Sequence, residues 1–319
     1  MNNCDKVFDE IIINNEIEVD CFQNLLLDYL RCFNVRTDEL KFIWPFRFVK
    51  KYNPQNKNWK IENEDAISLD RIRDMYNIQY KKEYFVREGN RLEVVRKYVD
   101  VGHPVFVCVD EYYIPYHYEH IFSKQHGVHT LLVTGIDLQN NIARVVSAIP
   151  YFKGNIPLKN LYNSLESKEV KQWFCILDMR YYANPDDIAI KKNHDAFFEK
   201  ANNTEIIYSK NIAEYLLTTN DNEIFKRIEE LCIGNWGWKI TKKGELLIDY
   251  LKKVSNGCKE CIDVADLIGE MNREWTIAFR LLFKSIYSKN INDINKAIDY
   301  LKNESQKEEV LRKKISKII

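Results

Sequence analysis

The sequence predicts an α+β N-terminal domain followed by an all-helical C-terminal domain, and three observations predict it. All seven prolines (Pro45, Pro54, Pro104, Pro115, Pro150, Pro157 and Pro185) lie in the first 185 residues. Within that stretch, apolar residues at helical spacing give way to β-branched runs. Beyond it, apolar residues recur at spacings of three and four with no proline to interrupt them. The composition changes at Asn184-Pro185-Asp186-Asp187, where acidic residues also suit a helix start, so the expected domains are residues 1–185 and 186–319.

Phe22, Leu25, Leu26, Tyr29, Leu30 and Phe33 repeat at three and four, which predicts a buried helix over 21–33. A second helix is expected from Arg91 to Asp100, closed by Gly102. Pro104 then opens the apolar strand Val105 to Val109. Val128 to Ile136 and Ile142 to Ile149 are β-branched runs separated by five polar-rich residues, the pattern of an antiparallel hairpin. A last strand is expected from Trp173 to Met179. In the C-terminal part, Leu246, Leu247, Tyr250, Leu251 and Val254 mark one helix, closed by Asn256-Gly257. Val264, Ile268, Met271, Trp275, Ala278, Phe279, Leu282 and Ile286 mark another, whose Met, Trp and Phe read as core rather than as a ligand groove. A charged amphipathic helix is expected over Glu304 to Lys317.

Forty-seven basic residues balance forty-seven acidic ones. That balance lacks the basic excess of a nucleic-acid or anionic-membrane binder. The first ten residues have no basic and apolar leader pattern, and no apolar run is long enough to span a bilayer, so no membrane association and a cytoplasmic location are expected. Eight dispersed cysteines in a chain of this size read as free thiols. Cys258 and Cys261 lack the second CxxC or histidine that a zinc ribbon requires.

Five of the six histidines fall between residues 103 and 129, and a metal site is the first idea they raise. The spacing His117-Tyr-Glu-His120 follows Pro115 and differs from the helical HExxH pattern, so no metal is expected. Cys21 has another context. It follows Asp20, a good N-cap, at the first turn of an apolar helix, where backbone amides and the dipole favour a thiolate. His129 opens a strand far downstream, and a nucleophilic Cys on a helix start can meet a His on a sheet. Taken singly, each residue also fits a purely structural role.

Asp20-Cys21 at a helix start, His103-Pro104-Val105 leading to Asp110-Glu-Tyr-Tyr-Ile-Pro-Tyr-His117, and then His129-Thr-Leu-Leu-Val-Thr-Gly135 carry a resemblance. Over about residues 15 to 160 the chain resembles the BtrH-type acyltransferases of butirosin biosynthesis, whose N-terminal domains are similar to papain-like and C39-type cysteine peptidases. The resemblance implies a papain-like domain in which a helix carrying Cys21 packs on an antiparallel sheet, plus a C-terminal helical domain. It implies a Cys21–His129 pair that takes an acyl group from a phosphopantetheine thioester on an acyl or peptidyl carrier protein. A small-molecule amine or diamine then captures the acyl-Cys21 intermediate as an amide, with no cofactor beyond the carrier's arm as substrate. Such a reaction belongs to thiotemplated natural-product assembly.

Ser147 stands where the family places an Asp that orients the histidine, and is expected to accept from imidazole Nδ1–H. Asp110 is a weaker substitute. Asn15 occupies the position of the oxyanion-hole amide. Tyr112, Tyr113 and Tyr116, with Trp44, Phe46 and Phe48, are candidates for lining an acyl channel that excludes water. Two alternatives use the same residues: a cysteine peptidase or thioesterase with water as acceptor, and a binding protein with a decayed papain-like site.

Overall fold

The computed structural model describes residues 3–13, 20–43, 48–53, 58–63, 67–86, 89–198, 206–207, 209–219, 221–232, 236–255 and 258–318. In chain order the elements begin with α1 (Asn3–Glu10), α2 (Cys21–Arg31), β1 (Phe48–Asn53), β2 (Asn58–Asn63), α3 (Leu69–Tyr76) and β3 (Gln79–Tyr84). There follow α4 (Arg91–Asp100), β4 (Val105–Asp110), β5 (Val128–Asp137), β6 (Ile142–Ser147), β7 (Phe152–Pro157), α5 (Leu158–Glu166) and β8 (Trp173–Asp178). The rest are α6 (Asp187–Phe198), β9 (Ile206–Ile207), α7 (Ser209–Leu217), α8 (Asp221–Cys232), α9 (Trp236–Val254), α10 (Lys259–Ser288) and α11 (Ile291–Ile315).

The chain is mixed α+β and divides into two compact units, Met1–Thr37 with Ile67–Asp186, and Asp38–Ala66 with Asp187–Ile319. A single cut after residue 185 would leave Asp38–Ala66 in the first unit. The segment instead joins the second, because β1 pairs antiparallel with β9 as well as with β2.

The first unit is built on a six-stranded antiparallel sheet in the order β3-β8-β4-β5-β6-β7. β4 is buried along its whole length, as an apolar strand covered on both faces should be. Alternation sorts its side chains. Val105, Val107 and Val109 join Leu131, Val133 and Val145 in a cluster with Val95 and Val99 of α4 and Leu161 and Leu165 of α5. On the opposite face Phe106 meets Phe22 and Tyr29 of α2 edge-on, with ring centroids 5.7 and 5.3 Å apart. All eight cysteines of the chain are free thiols.

In the second unit, α9, α10 and α11 enclose a core in which Ile268, Met271, Trp275 and Leu282 of α10 are fully buried. The apolar stripe read from Val264 onward is thus core. The last helix begins at Ile291, well before the charged stretch that marked it in the sequence. Among the described residues, no helix is long and apolar enough to cross a membrane.

Candidate functional site

α2 starts at Cys21 because Asp20 caps it. The Asp20 backbone is extended, its Oδ1 accepts from Gln23 N–H at 2.9 Å, and its Oδ2 accepts from Gln23 Nε2 at 2.6 Å. Gln23 Oε1 in turn accepts from Ile67 N–H at 2.7 Å, which ties the helix start to the segment entering α3. Leu25, Leu26, Leu27 and Leu30 are fully buried, each worth about 1.5–3 kcal/mol of burial. Phe22 wedges edge-on between Phe106 and Trp173, the latter at 5.1 Å, so the first turn of α2 is locked against the sheet.

That docking brings the Cys21 thiol to β5. Sγ donates to Thr130 Oγ1 at 3.7 Å, and Thr130 is the residue after His129. Cys108 pairs with Thr130 across the β4–β5 ladder, so both lie on the face covered by α2. His129 pairs with Val109, and strand alternation turns its imidazole to the other face. The structure therefore brings the sulfur to the position next to His129, without a hydrogen bond between Sγ and the ring.

The imidazole is buried. Its Nε2 lies 3.0 Å from Ser147 Oγ, and that hydroxyl donates onward to Pro150 C=O at 2.9 Å. With the Ser147 proton committed to Pro150, the serine oxygen accepts from Nε2–H, and Nδ1 carries the lone pair. Ser147 thus meets the histidine as expected, but through Nε2 rather than Nδ1. His117 stands edge-on to His129, with ring centroids 5.1 Å apart. Burial, with a smaller contribution from His117, pushes the His129 pKa down to about 3.

The expectation of a thiolate at Cys21 does not hold. Burial first and the adjacent Asp20 carboxylate second push the thiol pKa above its ordinary value, although bonds from Thr130 and the Phe22 amide act the other way. Desolvation of the sulfur outweighs the helix N-terminus. At rest the site holds a neutral thiol and a neutral imidazole, not an ion pair.

Asp110 does not orient His129. Its carboxylate, fully buried, binds His126 Nδ1 at 2.7 Å and Ser167 Oγ at 2.5 Å. Glu111 lies 3.4 Å from His117 Nε2, and burial raises the Glu111 pKa while lowering that of His117. The three tyrosines divide. Tyr112 stacks on His126 at 4.3 Å, Tyr116 stacks on Phe152 at 3.9 Å, and Tyr113 C=O accepts from Asn160 Nδ2 at 2.7 Å. Tyr116 also has a buried hydroxyl beside Ser147, its pKa raised by desolvation. Asn15, Trp44 and Phe46 lie outside the described residues, and of Phe48 only the strand position is described.

Sequence reasoning missed Thr130 as the partner of the thiol and His126 as the partner of Asp110. Both follow from one register. Setting Val105 to Asp110 antiparallel to the strand from Val128 places Cys108 opposite Thr130 and Asp110 opposite Val128, two residues from His126. No protein-family model matches the chain, and no curated protein matches it.

Proposed function

We propose that the chain is an amide-forming acyltransferase on a papain-like, C39-like scaffold, with Cys21 as nucleophile and His129 as its base. The observation that supports the reading most is the placement of a helix-start thiol 3.7 Å from Oγ1 of Thr130, the residue that follows His129 in β5.

In this reading the acyl donor is the phosphopantetheine thioester of a carrier protein. As the C–S bond to Cys21 forms, Sγ gives up its proton along the hydrogen bond to Thr130 Oγ1, and His129, whose ring lies on the other face of β5, is the base behind that hydroxyl. The leaving thiolate of the arm recovers that proton. The amide N–H of Cys21, a first-turn donor that the Asp20 cap does not use, is the group assigned to the developing oxyanion. An amine then captures the acyl group. Thioester exchange is near isoenergetic and aminolysis runs downhill, so the sequence of steps needs no nucleotide. Such an enzyme works in the cytoplasm.

Incubation with an acyl-loaded carrier protein should give a Cys21-bound adduct by intact mass, and added amine should convert it to amide. No adduct and no amide would remove the reading. Free acid in place of amide would make the chain a thioesterase or peptidase. One observation favours a different reading, a binding protein with a decayed site: the thiol is protonated and bonds Thr130 instead of the imidazole. Cellular function that survives both Cys21→Ala and His129→Ala would establish it.

A further inference from the structure

Asp110 is fully buried, yet among the described residues no Lys or Arg forms an ion pair with it. Its carboxylate accepts four hydrogen bonds: Ser167 Oγ at 2.5 Å, His126 Nδ1 at 2.7 Å, Tyr112 N–H at 3.1 Å and Gly127 N–H at 3.3 Å. Burial works to raise this carboxyl's pKa, and the donors, Ser167 and His126 foremost, hold it below its ordinary value instead. An ionised, acceptor-only carboxylate makes Nδ1 the protonated nitrogen of His126. The lone pair is then on Nε2, which has no partner among the described residues. The ring is held a second way, stacked on Tyr112 at an interplanar angle of 10°, while the side chain remains 40% exposed. A buried carboxylate fixing the tautomer of an open imidazole is the arrangement that prepares a histidine for proton transfer.

The β4–β5 register relates this pair to the thiol. Asp110 lies two residues along β4 from Cys108, about 7 Å by strand rise and on the same face by alternation. Cys108 is opposite Thr130, the residue that holds Cys21 Sγ.

Aminolysis needs a proton acceptor that thioester exchange does not. An aliphatic amine arrives as an ammonium ion, titrating near ~10. One N–H proton must leave before nitrogen can attack, and a second must leave the tetrahedral adduct. The second can return to the departing Cys21 sulfur, which restores the thiol. The first has no destination within the Cys21–His129 pair and must reach solvent.

We infer that His126, oriented by Asp110, is the base that takes this first proton. The ammonium N–H bond breaks and Nε2–H forms, the neutral amine attacks the acyl carbon as the C–S bond to Cys21 breaks, and the exposed imidazolium releases its proton to water. The assignment rests on the acyl-Cys21 reading above and extends it to the acceptor step.

The test is His126→Asn, whose Nδ2 stands where Nδ1 does and can still donate to Asp110. With an acyl thioester of N-acetylcysteamine as donor, acyl-Cys21 should form and accumulate, and its transfer to a primary alkylamine should fall about a hundredfold. Transfer to hydroxylamine, already neutral at pH 7, should stay within about twofold of wild type. In His126→Ala, added imidazole should restore alkylamine transfer in proportion to its concentration. An equal fall for both nucleophiles, an unchanged alkylamine rate, or loss of acylation in both variants would overturn the assignment. A wild-type protein that never carries the acyl group would instead overturn the acyltransferase reading itself.

Discussion

Alkylation of Cys21 by iodoacetamide should rise with pH without levelling off in the neutral range. Only thiolate reacts, and burial together with Asp20 holds this thiol above the ordinary 9.0. At pH 7 a group titrating at that ordinary value is about 1% thiolate, and one raised above it is less. A thiol activated by the helix start, titrating near ~6, would be about 90% thiolate. The difference in absolute rate is much smaller than those fractions suggest, because intrinsic nucleophilicity falls with pKa at a Brønsted slope of about 0.4–0.5. Three units of pKa then return about twentyfold, and the two cases differ only several-fold at neutral pH. The shape of the profile separates them better. For the thiol described here, log rate should climb with near-unit slope from about pH 6 to beyond about pH 9. Peptide mapping by mass must follow Cys21 apart from the exposed Cys258 and half-buried Cys32. A plateau below about pH 8 would refute the argument that desolvation dominates at the sulfur.

Ser147→Ala removes the acceptor that His129 Nε2–H has among the described residues, and an unpaired buried donor should cost about 1–3 kcal/mol in denaturant unfolding. Gly127→Ala should cost less than about 1 kcal/mol in thermal unfolding, because a Cβ there meets only the end of the Glu111 side chain, which can swing away from it and from His117. Two buried carboxyls of α11 should make the chain less stable as pH rises. Burial raises Glu308 from 4.5 to about 7 and Glu304 from 4.5 to about 10, so both bind protons more tightly folded than unfolded. Their contribution is complete below 4.5 and is lost up to about 7 for Glu308 and about 10 for Glu304. Each group changes stability by at most about 1.4 kcal/mol per pH unit, and Glu308→Gln should flatten the curve between about pH 5 and about pH 7. A curve that rises over this window would contradict the assignment.

The elements legible in the sequence are those with a strong apolar signature: α2, α4, β4, the β5–β6 hairpin and β8. α1 is not, because only Cys4 and Val7 of its eight residues are buried, and a single pair three apart is too short a pattern to mark a helix. β3, an edge strand reading QYKKEY, has exposed residues at nearly every position and shows no alternation. The hairpin of β1 and β2 gives no sign that it belongs with residues beyond 187, since its pairing with β9 spans more than the length of the first unit. At the site, Cys21 and His129 are legible because each stands at a recognisable start of an element, and Ser147 only through the resemblance. The protonation of the thiol is not, because a helix N-terminus is visible in sequence and the layers that bury it are not.

The placement of the carboxylate follows from the same electrostatics. Ser147 is 0% exposed, so an Asp there would be a buried ion with only neutral donors, His129 Nε2–H and the Tyr116 hydroxyl, and a repelling carbonyl oxygen at Pro150. Such a buried charge costs several kcal/mol unless the histidine carries a proton. A hydroxyl avoids that cost, accepting from Nε2–H while donating to Pro150, and it leaves His129 neutral. At Asp110 the chain can afford the charge, because two backbone amides, Ser167 and His126 converge on it. A neutral buried histidine can take a proton only transiently and must return it within the site. The carboxylate-backed ring of His126, 40% exposed, opens to water instead. The two histidines, three residues apart at the entrance to β5, are therefore suited to opposite halves of a transfer in which one proton stays and another leaves.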